Sequence, residues 1–519
     1  MLLWKRIVSF TKFKLMIEIL AVYKFPQIKR LWACICITLV HSASSPSILE
    51  ASDTDFTMSG SRPNIIFFLA DDQSRSDHRT YGNEKAPTPI TEAFSKEALV
   101  FDKAYTGQAI CAPSRSMLLT GLYPIRNGCF INHTAIRPGL KSLPSYLKSL
   151  GYDVILAGKS HLKPSEQFPW TEWMRPVPKE GYPRPALPLD AIDDYMEKSK
   201  QPFCLILASE YPHGPYFKES QFDPNEVVLA PFQYDSPGTR NYASRYYQSI
   251  DEKENEFDAI LKLIERHGLE RDTIVFYADD HGVSRGKFTV YDSGINVAFM
   301  VRWPEKIVPG RSDALISFAD FVPTALDLAS RNSEVSNASF FDGKSLVPLL
   351  EGKTQQHHEF TYAVSHNQGI QNRHIFPQRA IHDGRYHYIY NFNSNERLNK
   401  LSIKDPTLHF FLKFGADKHK DQPEEELYDV GVDPFELNNL AKNPELTAKK
   451  IALKKALFKW MKSQNDFLSE EGIPPIFKVW GHQLDENAPR FKYKIPEKML
   501  GTLSGKKVDP HLISRVVID

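Results

Sequence analysis

The sequence is poor in cysteine, in unbalanced charge and in long apolar runs, and each shortage excludes a class of protein. Five cysteines occur in 519 residues: Cys34, Cys36, Cys111, Cys129 and Cys204. Cys34 and Cys36 fall in an N-terminal leader. At most one pair can form among the other three, which excludes a scaffold built on disulfides and leaves at least one thiol to explain. Lys and Arg total 64 against 63 Asp and Glu. That balance removes any global reason to bind nucleic acid, and leaves anion binding to a local cluster of cations. The apolar run at "LWACICITLV" is short for a membrane span, so no stable membrane partner is expected. No internal repeat and no low-complexity tract occurs.

The first fifty residues differ from the rest. "MLLWKRIVSFTKFKLMIEILAVYKFPQIKR" is basic and apolar, and small residues follow the apolar run. That order reads as a secretory signal over 1–45, cleaved around Ala43 to Ser45. The protein is accordingly expected to be exported, to a periplasm or the medium. A membrane-tethered N-terminus is the alternative, and the long basic lead admits a start codon further downstream.

What remains is enough for one large domain and a smaller one. "NIIFFLA" (64–70), bounded by Pro63 and Asp71, predicts a buried central strand. A helix with Thr91 near its start and a short strand follow. The segment 142–162 predicts a helix, a stop at Gly151 and a second buried strand. The stretch 201–216 holds another strand. The stretch 246–282 reads as a long amphipathic helix, a stop at Gly268 and a strand ending in acids. Strands alternating with helices predict an α/β domain over 60–355, with a mostly parallel sheet and helices on both faces. After about residue 355 the segments become shorter and richer in turns. They predict a C-terminal α+β subdomain over 356–519, with an antiparallel sheet, a closing helix at "LTAKKIALKKALFKWMKSQ" and a proline-containing tail beyond 470 that wraps the surface.

Two predicted strands end in acid pairs, Asp71–Asp72 and Asp279–Asp280, the second followed by His281 and Gly282. Ligands of parallel α/β sheets sit beyond the carboxyl ends of the strands. Two carboxylate clusters there suit a hard cation. Cys111 opens "CAPSRSMLLTG" (111–121). Pro113 suits a first helical turn, and Arg115, four residues on, shares a helix face with the cysteine. A helix start with a guanidinium beside it favours an anion. A thiolate, however, is soft, and fits poorly beside a hard cation.

"CAPSRSMLLTG" resembles the Cys-x-Pro-Ser-Arg-x-x-x-x-Thr-Gly signature of the type I sulfatases, in the alkaline-phosphatase-like superfamily. The resemblance covers roughly 62–445. It implies that Cys111 is oxidised by a formylglycine-generating enzyme to formylglycine, whose hydrate supplies the hard oxygen. It also implies one Ca2+ per chain held by Asp71, Asp72, the Cys111-derived group, Asp280 and His281, with Asp279 an extra. "LAGKSHL" resembles the Gly-Lys-x-His segment and implies Lys159 and His161. "YPHGPY" implies His213, and "RGKFTVYDSG" implies Lys287. With Arg115 these are the implied catalytic residues. "ELYDVGVDPFELNNLA" is similar to the family's closing motif. His133, His357, His358, His366 and His374 have no such support and are read as surface or loop histidines.

The implied activity is hydrolysis of sulfate esters, or of N-sulfate, in a sulfated carbohydrate. The C-terminal segments resemble the branch with heparan N-sulfatases and microbial polysaccharide sulfatases, so algal ulvan, carrageenan and glycosaminoglycan are the expected substrates. The polar loop "HNQGIQNRHIFPQR" (366–379) is a candidate for gripping sugar hydroxyls. A phosphatase or phosphonate monoester hydrolase of the same superfamily is the alternative. A non-catalytic binder of sulfated glycans is a third reading, and it requires a damaged site.

Overall fold

The computed structural model describes residues 62–283, 286–330, 339–366, 375–404 and 406–468, together with 502–503 and 506–507. The expected leader, residues 367–374 of the polar loop with His374, and the tail beyond 470 apart from those two dipeptides lie outside the described residues. Among the described residues no helix is long and apolar enough to cross a membrane.

Strand β1 (Asn64–Ala70) has the bounds predicted for it. It lies inside an eight-stranded sheet with β2 (Leu99–Tyr105), β3 (Asp153–Gly158), β4 (Glu172–Met174), β5 (Phe203–Ala208), β6 (Thr273–Asp279), β7 (Phe299–Arg302) and β8 (Gly310–Ser317). The order is β4-β3-β5-β1-β6-β7-β2-β8. All pairings are parallel except those of β7, which runs antiparallel to β6 and β2. The sheet is therefore mostly parallel, as expected.

Side chains alternate faces along a strand, and here both faces are apolar. Ile65, Phe67 and Leu69 share one core with Ile274, Phe276 and Ala278. Ile66 and Phe68 share the other with Val275 and Tyr277. Among the described residues, the helices of seven or more residues are α1 (Pro89–Ser95), α2 (Cys111–Thr120), α3 (Leu143–Ser149), α4 (Leu189–Lys198), α5 (Pro237–Arg266), α6 (Phe321–Ser330), α7 (Pro406–Lys418) and α8 (Thr447–Ser463). α2, α3 and α6 cover the first face, while α4 and α5 cover the second. Full burial of each large apolar side chain contributes about 1.5–3 kcal/mol. α5 begins nine residues before the predicted start at 246, because Ser236 caps it by accepting from the Thr239 N–H and Pro237 occupies its first turn.

A second sheet, β12-β11-β10-β9, is antiparallel throughout. It comprises β9 (Thr361–Ser365), β10 (Gln378–His382), β11 (Tyr386–Asn391) and β12 (Glu425–Asp429). α8 packs on β10 and β11. Its Trp460 stacks on Tyr362 at 4.4 Å and meets Tyr123 edge-on at 5.2 Å, so one indole joins the closing helix to both sheets' surroundings. Arg379 forms a buried two-armed ion pair with Asp466 just beyond that helix.

Candidate active site

Alternation along β1 and β6 decides which acids meet. Asp71 continues the odd-numbered face of β1, and Asp280 continues the even-numbered face of β6, both toward α2. Asp279 faces the other way, where its carboxylate accepts from His78 Nε2 at 2.9 Å and from the Tyr277 hydroxyl at 3.3 Å. Asp72 has a left-handed backbone (φ 65°), and its N–H donates to Asp280 Oδ1 at 3.0 Å.

α2 is buried along all ten residues. It lies at the strand ends because the Ser114 hydroxyl donates to the Asp280 carbonyl and the Asn132 side chain accepts the Ala112 N–H. Arg115 Nε lies 3.0 Å from Asp280 Oδ2, and Nη2 lies 3.4 Å from Asp71 Oδ1. Cys111 Sγ is 3.3 Å from His281 Nε2, 3.9 Å from Asp72 Oδ1 and 3.9 Å from Lys159 Nζ. Lys159 follows Gly158, the last residue of β3, and its ammonium pairs with Asp71 Oδ2. Gly158 has φ 89°, and a Cβ there would fall 2.2 Å from the Ala208 carbonyl oxygen, so only glycine lets β3 turn into this loop. Lys287 Nζ is 2.6 Å from Asp72 Oδ2, and His213 Nε2 is 3.6 Å from the same oxygen.

The structure thus brings together every candidate residue named from the sequence. His161 lies against Cys111 and has a neighbour that was not foreseen. Its Nε2 sits 2.6 Å from His133 Nδ1, the two rings are 4.4 Å apart, and both residues have left-handed backbones. His133 lies in a loop, one of the two places expected for it, but it lines the same cavity, of about 1080 Å³, as Cys111. His366 also lies in a loop, though buried there against Phe130 and Phe467. His357 and His358 lie in the loop before β9 and close on Asp320. The cavity wall also carries Asn132, Trp173, Arg175, Arg184, Tyr216 and Tyr242, which sequence reasoning missed. Strand β4, which ends at Met174 just before Arg175, is only three residues long, too short to leave a clear periodic signal.

The electrostatics suit a cation and an anion side by side. Burial opposes ionisation of Asp71, yet Lys159 and Arg115 hold it well below the usual carboxylate range. Burial and the charge of Asp71 push Asp280 up to about 7. Burial opposes charge on His281, and Asp280, Cys111 and Asp72 outweigh it and raise the ring to about 9. Burial would raise the Cys111 thiol, but Lys159, His281 and Lys287 bring it well below its ordinary value. Asp71 Oδ1 and Arg115 Nη2 are both buried without a hydrogen-bond partner. These two atoms face each other at 3.4 Å as an ion pair without a hydrogen bond, which leaves the carboxylate oxygen a lone pair for a metal ion. His281 Nδ1 lies 3.0 Å from the Gly282 carbonyl, which sets the ring so that Nε2 faces Cys111 Sγ and Asp72 Oδ1, where the neutral imidazole could coordinate an ion. The donor set of Asp71, Asp72, Asp280 and His281 therefore fits a bound metal ion.

A family model described as Sulfatase matches residues 63–331. A second, described as N-sulphoglucosamine sulphohydrolase, C-terminal, matches residues 280–408. A protein of Formosa agariphila named ulvan-active sulfatase is 43% identical over 484 residues, covering 90% of this chain and 96% of the relative. The chain belongs to the sulfatase family. This sulfatase is a hydrolase of sulfuric esters, and its family generally uses a formylglycine and a metal ion. Among solved structures it is similar to one in complex with its substrate D-glucosamine-2-N,6-O-disulfate, with a TM-score of 0.61 and 20% identity, covering 78% of this sulfatase and 98% of that chain. A phosphonate monoester hydrolase of Agrobacterium radiobacter gives a TM-score of 0.60 and 17% identity, covering 79% and 99%. The fold is thus common to both chemistries, and the site must separate them.

Proposed function

We propose that this sulfatase is exported and removes sulfate from a sulfated carbohydrate, with an algal polysaccharide of the ulvan type, or its oligosaccharides, as the preferred class. The observation that carries the reading is Cys111 Sγ set between a buried acid cluster and a ring of cations, with Asp72 Oδ1 and Lys159 Nζ each 3.9 Å away. The 43% identity to an ulvan-active sulfatase supports the substrate class.

Asp71, Asp72, Asp280, His281 and the group derived from Cys111 would hold one Ca2+. Oxidation of Cys111 to formylglycine would supply an aldehyde hydrate, a hard oxygen nucleophile in place of the thiol, and the ion would polarise it and the sulfuryl group. The three carboxylates and a divalent ion leave one net negative charge. Arg115, Lys159 and Lys287 add three positive ones, which makes the pocket attractive to a monoanionic ester. Arg115 and Lys159 take the charge that develops on the sulfuryl oxygens. His213 donates a proton to the leaving sugar oxygen or nitrogen, assisted by Lys287. Burial lowers the affinity of His213 for its proton, but contact with Cys111 and the charges of Asp71 and Asp72 raise it above the ordinary value, which suits a proton donor. His161, which burial keeps below the usual histidine range, is the proton acceptor beside Cys111.

Sulfate release from a panel of ulvan, carrageenan and glycosaminoglycan oligosaccharides tests the substrate, alongside aryl sulfate and aryl phosphate. The reading predicts that ulvan fragments are turned over fastest and that aryl sulfate exceeds aryl phosphate. A reversed aryl preference would favour the phosphatase or phosphonate hydrolase instead.

A further inference from the structure

A second set of metal-binding side chains lies outside the cavity that holds Cys111. Asp320 sits at the end of β8 where α6 begins, and His357 and His358 precede β9. Asp320 Oδ1 is 2.7 Å from His358 Nε2, and Oδ2 is 3.2 Å from His357 Nε2. One ligand atom from each residue can be chosen so that all lie within 4.8 Å of one another.

The cluster is built rather than incidental. Asp320 is fully buried, and the His357 side chain is 4% exposed. His357 Nε2 makes its one close polar approach to the Asp320 carboxylate, at 3.2 Å, and that approach is an ion-pair contact outside hydrogen-bond geometry. The carboxylate itself is held in place by backbone donors. The Ser317 N–H reaches Oδ2 at 2.8 Å, and the Lys344 N–H reaches Oδ1 at 2.9 Å. Donors of this kind orient carboxylates that bind metals, and each oxygen keeps a lone pair for an ion when the facing imidazole nitrogen is unprotonated and serves as a ligand beside it. The nearby Lys344 ammonium does not compete, since it donates to the His357 carbonyl at 2.6 Å.

We propose that Asp320, His357 and His358 form a second metal site, for zinc or a similar transition ion, with the remaining position open to water. Two imidazoles and one carboxylate are the donor set of such an ion, whereas calcium prefers oxygen throughout. The site ties the segment entering β9 to the start of α6, and so fastens the second sheet's first strand to the first domain's helix layer. Its role is structural; no substrate is required.

The test uses the full chain, incubated with zinc chloride and freed of loose metal by gel filtration, with zinc measured by mass spectrometry. Wild type should retain about one more equivalent than the His357→Gln, His358→Gln double variant. Because the quantity is a difference, any zinc held near Asp71 and Asp72 cancels. Zinc should raise the Tm of wild type by more than it raises that of the variant. Should the double variant misfold, His358→Ala, at the more exposed ligand, serves in its place, and the visible bands of bound Co(II) should weaken in it. Equal zinc retention by wild type and variants, or a zinc-induced Tm rise no larger in wild type than in the variants, would overturn the proposal.

Discussion

Asp279 and Asp280 are adjacent in the chain yet serve opposite sides of the sheet. Asp280 meets Arg115 and the Asp72 N–H, whereas Asp279 meets His78. Strand alternation alone produces this division, which is why aligning the motif on Gly282 could distinguish the two acids before any coordinates. Asp280→Asn is expected to lower kcat/KM by roughly 10²-fold and to reduce bound metal. Asp279→Asn should instead cost stability, about 1–3 kcal/mol for the weakened buried contact, with kcat nearly kept. Kinetics and denaturation on both variants check the pair, and equal kinetic damage would contradict the assignment. Cys111→Ala should abolish turnover and leave Tm close to wild type. The histidines were the least legible residues. His133, His357 and His358 lie in no strand or helix of the described structure, and their partners, His161 and Asp320, are distant in sequence, so no local pattern announces the contacts.

Among the elements, those with a full apolar run between breakers were readable to the residue. β1 lies between Pro63 and Asp71, whereas α8, which has no such run, falls one residue short of its predicted stretch at each end. The short β4 and the antiparallel β7 were not foreseen, because three or four residues carry no periodicity and strand direction is set by tertiary pairing. The turn after β3 places Lys159, and it depends on Gly158. Gly158→Ala must relieve a Cβ contact of 2.2 Å with the Ala208 carbonyl oxygen at a left-handed φ. A loss of at least about 1–2 kcal/mol is expected from the backbone term alone. Moving Lys159 away from Asp71 should lower kcat/KM further than the fall in folded fraction explains. A variant with normal kcat/KM per folded molecule would show that the loop tolerates displacement.

At the scale of the whole molecule, stability should fall as pH rises through neutrality at one identifiable group. Glu256 of α5 is buried against Ser209, which follows β5, and against the Leu187 N–H; burial raises its carboxyl from 4.5 to about 7. Since the folded value is the higher, its contribution is fully present below the unfolded value and is lost as pH rises through about 7. The shift corresponds to roughly 3 kcal/mol at most. Glu256→Gln should therefore be more stable than wild type at pH ~8 and show a flatter profile in denaturant titrations; identical profiles would contradict this. Chelation should remove activity, restored better by Ca2+ than by Zn2+, because the Asp71, Asp72 and Asp280 donors are oxygens. The central claim is that a sulfatase has been built around a residue that does not act as cysteine. Mass spectrometry of the tryptic peptide 104–115 from active enzyme tests it most directly. The account predicts the lighter formylglycine form, with CHO in place of CH2SH at Cys111; active enzyme whose peptide carries only the unmodified thiol would contradict it.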